Sequence, residues 1–382
     1  MNSLERHELR YQRRKQKRLE NKIRNYKNFD NFEEVFTFEH LYDGYKKSCR
    51  NVGWKASTQS YKANATLNVY QAYKNLHDGT FKSDGFYEFD ISERGKTRHI
   101  RSVTIRERGV VQRCLCDYSL VPLLSRTFIY DNGASMTNKG YTFAIKRIQR
   151  HLHHYYHAHG ANGYVLLFDF SKYFDNISHE LLFKILENIY TDERLLKLSK
   201  YFVEAFGDKG LGLGSQVSQI LALAAANKLD HIIKEKLHIK YYGRYMDDGY
   251  LIHSDKKYLK YCLEEIKKIC DELGIILNTK KTKIIKITHP FTFLKIRFFI
   301  TPSGKVIKKV YKRSVVKMRK KLKKFKIFAE KGKMSLSDIY QSYQSWRSYI
   351  SNMDSYYTRT RMDELYDSLF SCNRNMITQE VC

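Results

Sequence analysis

Residues 163–170 read GYVLLFDF and residues 241–254 read YYGRYMDDGYLIHS, and these two stretches decide the architecture. The first is a short continuous apolar run ended by a carboxylate. That pattern predicts a buried strand with Asp169 at its tip. The second predicts a β-hairpin with Asp247 and Asp248 at its turn. Between them SHELLFKILENIY predicts an amphipathic helix with Ser178 as N-cap. After them YLKYCLEEIKKICDELGI predicts another, with Gly274 near its C-terminal end. Short strands are expected around LNTKKTKIIKI and FTFLKIRFFI, the latter closing on the turn TPSG. Such a mixture implies an α+β fold class.

Further out, residues 30–90 read as mainly helical, closing on YKNLHDGTFKSDGFYEFDI, whose Gly79 and Gly85 mark turns around short strands, and GKTRHIRSVTI alternates basic and apolar residues as an exposed strand pair would. RGVVQRCLCDYSLVPLL returns to helical spacing. The first segment, LERHELRYQRRKQKRLENKIRNY, predicts a helix with one weak apolar stripe and a strongly basic face. It is either a solvated arm or one that binds nucleic acid or a partner. The last eighty residues read as helical and basic. No internal repeat or flexible linker is evident.

The chain has 382 residues with 69 Lys plus Arg against 40 Asp plus Glu, a net charge of +29. Hydrophobic residues at 42% and aromatics at 14% exclude a disordered basic tail protein. The excess charge requires a polyanionic partner: nucleic acid, acidic lipid or acidic protein. No long uncharged apolar run appears, which excludes a membrane span, and no apolar stretch follows the basic N-terminus to make a signal peptide. Seven scattered cysteines form neither a zinc-site pattern nor a disulfide framework. They are expected to be reduced thiols in a cytoplasmic protein.

The chemistry resides in the carboxylates. Burying Asp169 near Asp247 and Asp248 is costly unless cations neutralise them. Oxygen donors of this kind suit Mg²⁺, and two such ions serve in-line phosphoryl transfer. An Asp pair in a turn is by itself a weak signal, since Asp is common in turns.

YMDD, lying some seventy residues after FDFSKYFDNISHELL, resembles the palm of reverse transcriptases. RGKTRHIRSVTIRERGVVQ is similar to their fingers motif, and NGASMTNKGYTFAI to the loop and helix that follow. GLGLGSQVSQ stands where that family has its template- and nucleotide-contacting loop, and LGIILNTKKTKII and FTFLKIRFF resemble the motifs that end the palm. The motifs occur in the family's order across roughly residues 90 to 300. The resemblance implies a right-hand polymerase fold: a basic arm over 1–29, fingers over 30–160, an antiparallel palm over 161–305 and a helical thumb over 306–382. It implies an RNA-directed DNA polymerase, a nucleotidyltransferase using two Mg²⁺ ions, with Mn²⁺ as a substitute. Its partners would be an RNA template, an RNA/DNA duplex and dNTPs, with no membrane.

Carried over by position, Asp169, Asp247 and Asp248 would be the catalytic, metal-binding carboxylates, with the carbonyl of Phe170 completing one metal site. Phe174 matches the aromatic ring that packs beneath the sugar of the incoming nucleotide and excludes a 2′-hydroxyl, its alternative being a core aromatic. Lys96 and Arg98 match residues that hold the triphosphate; Arg106 lies close by, and Arg101 and Arg108 would bind nucleic acid. Lys281 matches a lysine near the nucleotide's phosphates, Lys280 and Lys283 being competitors for that register. Leu213, Gly214 and Gln219 belong to the nucleotide loop. Lys320, Lys321, Lys323 and Lys324 would hold duplex phosphates, with Leu322, Phe325 and Phe328 on the opposite side of their helix. Tyr340, Tyr343, Trp346 and Tyr349 form either thumb core or a stacking platform.

Two departures matter. Where most of the family has Gln-Gly and Ser-Pro in the loop, this chain has Leu213-Gly214-SQV-Ser218-Gln219. That variant resembles bacterial enzymes of the group II intron-like lineage, nearest those of diversity-generating retroelements. These work with a small basic accessory protein. Defence-associated (antiviral) reverse transcriptases, which use a non-coding RNA, are the next resemblance. Losing the Gln amide would loosen base selection, or be a lineage change without consequence for fidelity. Phe293-Leu294-Lys295 also departs from the usual Phe-Leu-Gly. No RNase H or endonuclease signature is expected in the chain. The reading of another class is a catalytically silent RNA-binding scaffold, against which the intact carboxylates count.

Overall fold

The computed structural model describes residues 26–93 and 96–370, with residues 6, 8–14 and 16; Glu93, Lys96 and Arg98 are described in backbone only. The expected basic arm over 1–29 therefore lies mostly outside the described residues. The described cysteines, Cys49, Cys114, Cys116, Cys262 and Cys270, are free thiols.

Helices α1 (Phe38–Ser48) and α2 (Ala65–His77) stand near the start of the described fold. Thr37 caps α1 by accepting from the His40 N–H, and Val69, Ala72 and Leu76 give α2 its buried stripe. Strands β1 (Tyr87–Glu93) and β2 (Lys96–Ser102) pair antiparallel from Tyr87↔Ser102 to Glu93↔Lys96. GKTRHIRSVTI thus supplies one strand rather than a pair, and its partner comes from the preceding segment. A helical run from Ile105 to Ser125 follows, wound in part as π-helix, and leads by a loop to α3 (Tyr141–His159).

A four-stranded sheet holds β3 (Tyr164–Asp169), β4 (Tyr241–Tyr245), β5 (Asp248–His253) and β6 (Lys283–Lys286) in the order β4-β5-β3-β6, all antiparallel. β3 is central, and both of its faces are covered. Leu166 and Phe168 join a core with the helices α4 (His179–Ile189), α5 (Glu193–Glu204), α6 (Gln216–Ala225) and α7 (Lys256–Glu272). Val165 and Leu167 face Ile148 and Leu152 of α3 and a second sheet of β7 (Phe291–Phe293), β8 (Ile296–Ile300) and β9 (Val306–Val310). Alternate residues of one strand therefore enter different cores, which is why its apolar run is unbroken. The first core is continuous from Phe32 near the start of the described fold to Ile275 after α7.

Helices α8 (Lys312–Glu330), α9 (Leu336–Ser351) and α10 (Tyr356–Phe370) close a separate core around Met318, Leu322, Phe325, Ile339, Tyr343 and Met362. Lys320, Lys323 and Lys324 are exposed on α8, and Lys321, also exposed, donates to Ser342 Oγ of α9 at 2.8 Å. Of the aromatic stripe, Tyr343 is core, whereas Tyr340 and Tyr349 face solvent. The whole is an α+β fold, with helices packed on antiparallel sheets and a helical unit following them. Among the described residues, no helix is long and apolar enough to cross a membrane.

Candidate active site

Asp169 ends β3 and lies directly across from Asp248, the first residue of β5. The turn of the hairpin is therefore Met246-Asp247, between the paired residues Tyr245 and Asp248. Met246 adopts φ +53, a left-handed conformation uncommon for a residue with a side chain. Arg244 Nη1 donates to the Met246 carbonyl at 2.8 Å. That guanidinium is fully buried, donating to both oxygens of Asp230 at 2.7 and 2.6 Å and to the Leu223 carbonyl at 3.2 Å. The Tyr242 hydroxyl also donates to Asp230. On the far side of the turn, the Phe170 N–H donates to the Asp247 carbonyl at 3.1 Å. Gly249 permits the close approach of the two strands, since a Cβ there would stand 2.2 Å from the ring of buried Phe168.

Asp169 is itself buried, and each of its carboxylate oxygens is engaged. Oδ1 accepts from Nδ2 of Asn278 at 3.1 Å, and Oδ2 meets the Lys281 ammonium at 2.6 Å. The Asn278 N–H donates to the Asp169 carbonyl at 2.8 Å. Burial pushes the Asp248 carboxyl up, and the charges of Asp247 and Asp169 push it further, to about 7. Burial opposes the charge on Lys281, but its hydrogen bond to Asp169 and the nearby carboxylates outweigh that and hold it above the usual lysine range.

Among the described residues, no three His, Cys, Asp or Glu side chains stand together as a formed metal centre. The donor chemistry nevertheless fits a hard cation: the buried Asp169 carboxylate lies beside Asp247 and Asp248, whose crowding raises the proton affinity of Asp248, with one ammonium already seated on Asp169.

Phe174 belongs to a single helical turn, Tyr173–Asn176, and is partly buried against the core. The glycine loop is pinned beneath it. Leu211 N–H donates to the Phe174 carbonyl at 2.8 Å and Gly210 N–H to the Ile177 carbonyl at 2.9 Å. At Gly210, φ is +85 and a Cβ would stand 2.8 Å from the Asp175 carbonyl oxygen. Beyond it, Leu213 is partly buried, and Gly214 lies against the Arg101 backbone, where a Cβ would come within 3.3 Å of its carbonyl. The loop and β2 thus meet. Gln219 is exposed, and its Oε1 accepts from Ser135 Oγ at 3.3 Å.

Lys96 and Arg98 lie on β2, the latter opposite Ile91. Arg101 is held within the protein by Glu88 at 3.0 Å and by the Phe206 carbonyl at 3.1 Å. Arg106 is likewise held by Asp84 and by the Lys82 carbonyl. Arg108 is exposed. Of the three candidate lysines after β3, Lys281 is the one that reaches Asp169. Leu294 and Lys295 form the turn between Phe293 and Ile296 with φ +46 and +65, so the turn is kept where a glycine is lacking.

Sequence reasoning missed Asn278, Arg244 and Asp230. Asn278 stands in the LNTKKT motif and could have been weighed beside Lys281. The pairing of Arg244 with Asp230 leaves no signature in a single sequence beyond two charged residues inside apolar surroundings.

Residues 120–298 match the family model described as reverse transcriptase (RNA-dependent DNA polymerase). No curated protein matches the sequence. Among solved structures the chain is similar to three telomerases. One is apo telomerase from Candida tropicalis truncated from its C-terminal domain, with 15% identity, TM-score 0.43, and coverage of 59% of this chain and 55% of that one. Another is Candida albicans telomerase in complex with a TWJ fragment of telomeric RNA, at 12% identity and TM-score 0.47, covering 80% and 65%. Apo telomerase from Candida tropicalis follows at 14% and 0.45, covering 65% and 53%. The chain therefore spans between 53 and 65% of the length of those telomerase chains.

Proposed function

From a reverse transcriptase domain over residues 120–298, we propose that this protein is an RNA-directed DNA polymerase that copies a structured RNA template into DNA. One observation carries the reading. Asp169 and the Asp247-Asp248 pair, distant in sequence, meet at one end of the buried central strands inside that domain.

Asp169, Asp247 and the Phe170 carbonyl would hold Mg²⁺, with Asp248 beside them. When bound, the metal supplies Lewis-acid stabilisation of the attacking and leaving oxygens. The protein's own groups do the rest. Arg244 sets the turn that aims Asp247. Lys281 neutralises Asp169 before substrate arrives and then offers its ammonium to the triphosphate. Phe174, tethered to the glycine loop, closes the sugar side and selects deoxynucleotides. Lys96 and Arg98 meet the triphosphate from the fingers, and the exposed lysines of α8 hold duplex phosphates through counterion release.

Within this class, the Leu213–Gln219 loop favours a retroelement enzyme of the diversity-generating kind over a defence-associated one. Finding a gene for a small basic helical protein and a paired repeat beside this one would support the former; finding neither would favour the latter. The test of the activity is extension of a DNA primer on an RNA template with dNTPs and Mg²⁺. Extension that survives the double change Asp247→Ala and Asp248→Ala overturns the mechanism.

A further inference from the structure

Helix α3 carries a basic face that the polymerase reading leaves unused. Its Ala144, Ile145, Ile148, Leu152 and Tyr155 are buried, which fixes what points outward. Lys146, Arg150, His153, His154 and His157 follow at i, i+4, i+7, i+8 and i+11, and all are exposed. The facing wall is the loop between β8 and β9. The Tyr156 hydroxyl donates to the Pro302 carbonyl at 3.0 Å. Gly304, at φ +85, lies so close to the Tyr156 ring that a Cβ would stand 2.2 Å from it. Helix and loop thereby hold open a groove of about 720 Å³, to which Lys305 adds a further cation and which no described Asp or Glu lines.

The groove is separate from the carboxylates. α3 ends at His159 and β3 starts at Tyr164, so the groove sits beside the end of β3 opposite Asp169. Six strand residues put about 17 Å between those ends. The other end of α3 follows the loop in which Ser135 touches Gln219. The helix therefore leads from the template-loop side of the molecule to its far side.

We propose that this groove binds the sugar–phosphate backbone of template RNA outside the stretch being copied. From Lys146 to His157 the helix runs about 16 Å, enough to meet several successive phosphates. Lysine supplies point charge, arginine a fork, and the histidine ring N–H groups further donors to phosphate oxygens. A membrane surface fits less well. The site is concave, and Val306, itself partly buried, is its one aliphatic lining residue, so no exposed apolar side chain is offered for insertion. The choice of RNA rests on the polymerase reading; the existence of a polyanion site does not.

The test compares wild-type protein with the triple variant Lys146→Gln, Arg150→Gln, Lys305→Gln, using a labelled stem-loop RNA over a range of KCl concentrations. The expected result is a loss of affinity of about tenfold at moderate salt, and a log–log salt slope shallower by about two. The charge-keeping variant Lys146→Arg, Arg150→Lys, Lys305→Arg restores both. Unchanged affinity and slope in a variant with an unaltered melting curve overturn the proposal. So does selective loss of binding to phosphatidylserine vesicles with RNA binding intact. Wild-type protein that binds the RNA through these residues yet extends no primer overturns the polymerase reading and leaves the groove standing.

Discussion

Arg244 donates from Nη1 to the carbonyl of Met246, two residues further along the same hairpin, and both oxygens of buried Asp230 hold its guanidinium in place. The left-handed conformation of Met246 costs about 1–2 kcal/mol, which a charged donor aimed at its carbonyl offsets. Arg244→Met strands a carboxylate in the core and is expected to destabilise by about 3–5 kcal/mol. The double variant Arg244→Met, Asp230→Leu recovers much of that loss because no charge is left unpaired. It does not recover extension rate, since the Met246 carbonyl still lacks its donor. Urea unfolding together with primer extension checks both. A double variant with full activity shows that the pair acts on stability alone.

The carboxyl of Asp248 titrates near 7 in the folded chain against 3.8 as its ordinary value. The sign follows from which state binds more protons. Between those values the folded state does, so this group's stabilising contribution is present below the lower value and is lost as pH rises through the upper one. Melting temperature is expected to fall from about pH 5 to about pH 8, and Asp248→Asn to flatten that fall. Mg²⁺ binding to the ionised cluster reverses the trend, so the ion raises the melting temperature more at about pH 8 than at about pH 6. An equal metal effect at both contradicts the charge-repulsion account.

Phe174 is partly buried and tethered through its carbonyl to Leu211. If its ring closes the sugar pocket, Phe174→Val admits ribonucleotides, with a rise in rNTP over dNTP usage of about tenfold or more. Single-nucleotide incorporation with matched dNTP and rNTP measures this. An unchanged ratio in a folded variant returns Phe174 to the core.

Gly249 faces Phe168 across the β3–β5 ladder. A Cβ there meets a ring that is fully buried and has no room to retreat. Gly249→Ala is expected to cost about 2–3 kcal/mol by overpacking and to separate Asp169 from Asp248. Thermal denaturation checks the first consequence and loss of extension activity the second.

Much of this site was legible in one dimension. The run YVLLF demanded a strand covered on both faces, and the hairpin YMDD was marked by its flanking aromatic and apolar residues. Charge was less informative. Arg101 and Arg106 read as cations waiting for phosphate, yet Glu88 and Asp84 hold them, because only the folded hairpin brings those acids within reach. Lys281 could not be told from Lys280 or Lys283 until the loop after α7 closed onto β3.

The order of the elements, the two-sided burial of β3 and the identity of the carboxylates belong to the sequence itself. They rest on side-chain periodicity and residue chemistry, which are local. The register that sets Asp169 beside Asp248, the Asn278 and Lys281 contacts to Asp169, and the Arg244–Asp230 clamp on the turn were decided by the tertiary structure. Each depends on distance between residues far apart in the chain. A buried charge takes its partner from whatever the packing brings near, and no local pattern encodes that choice.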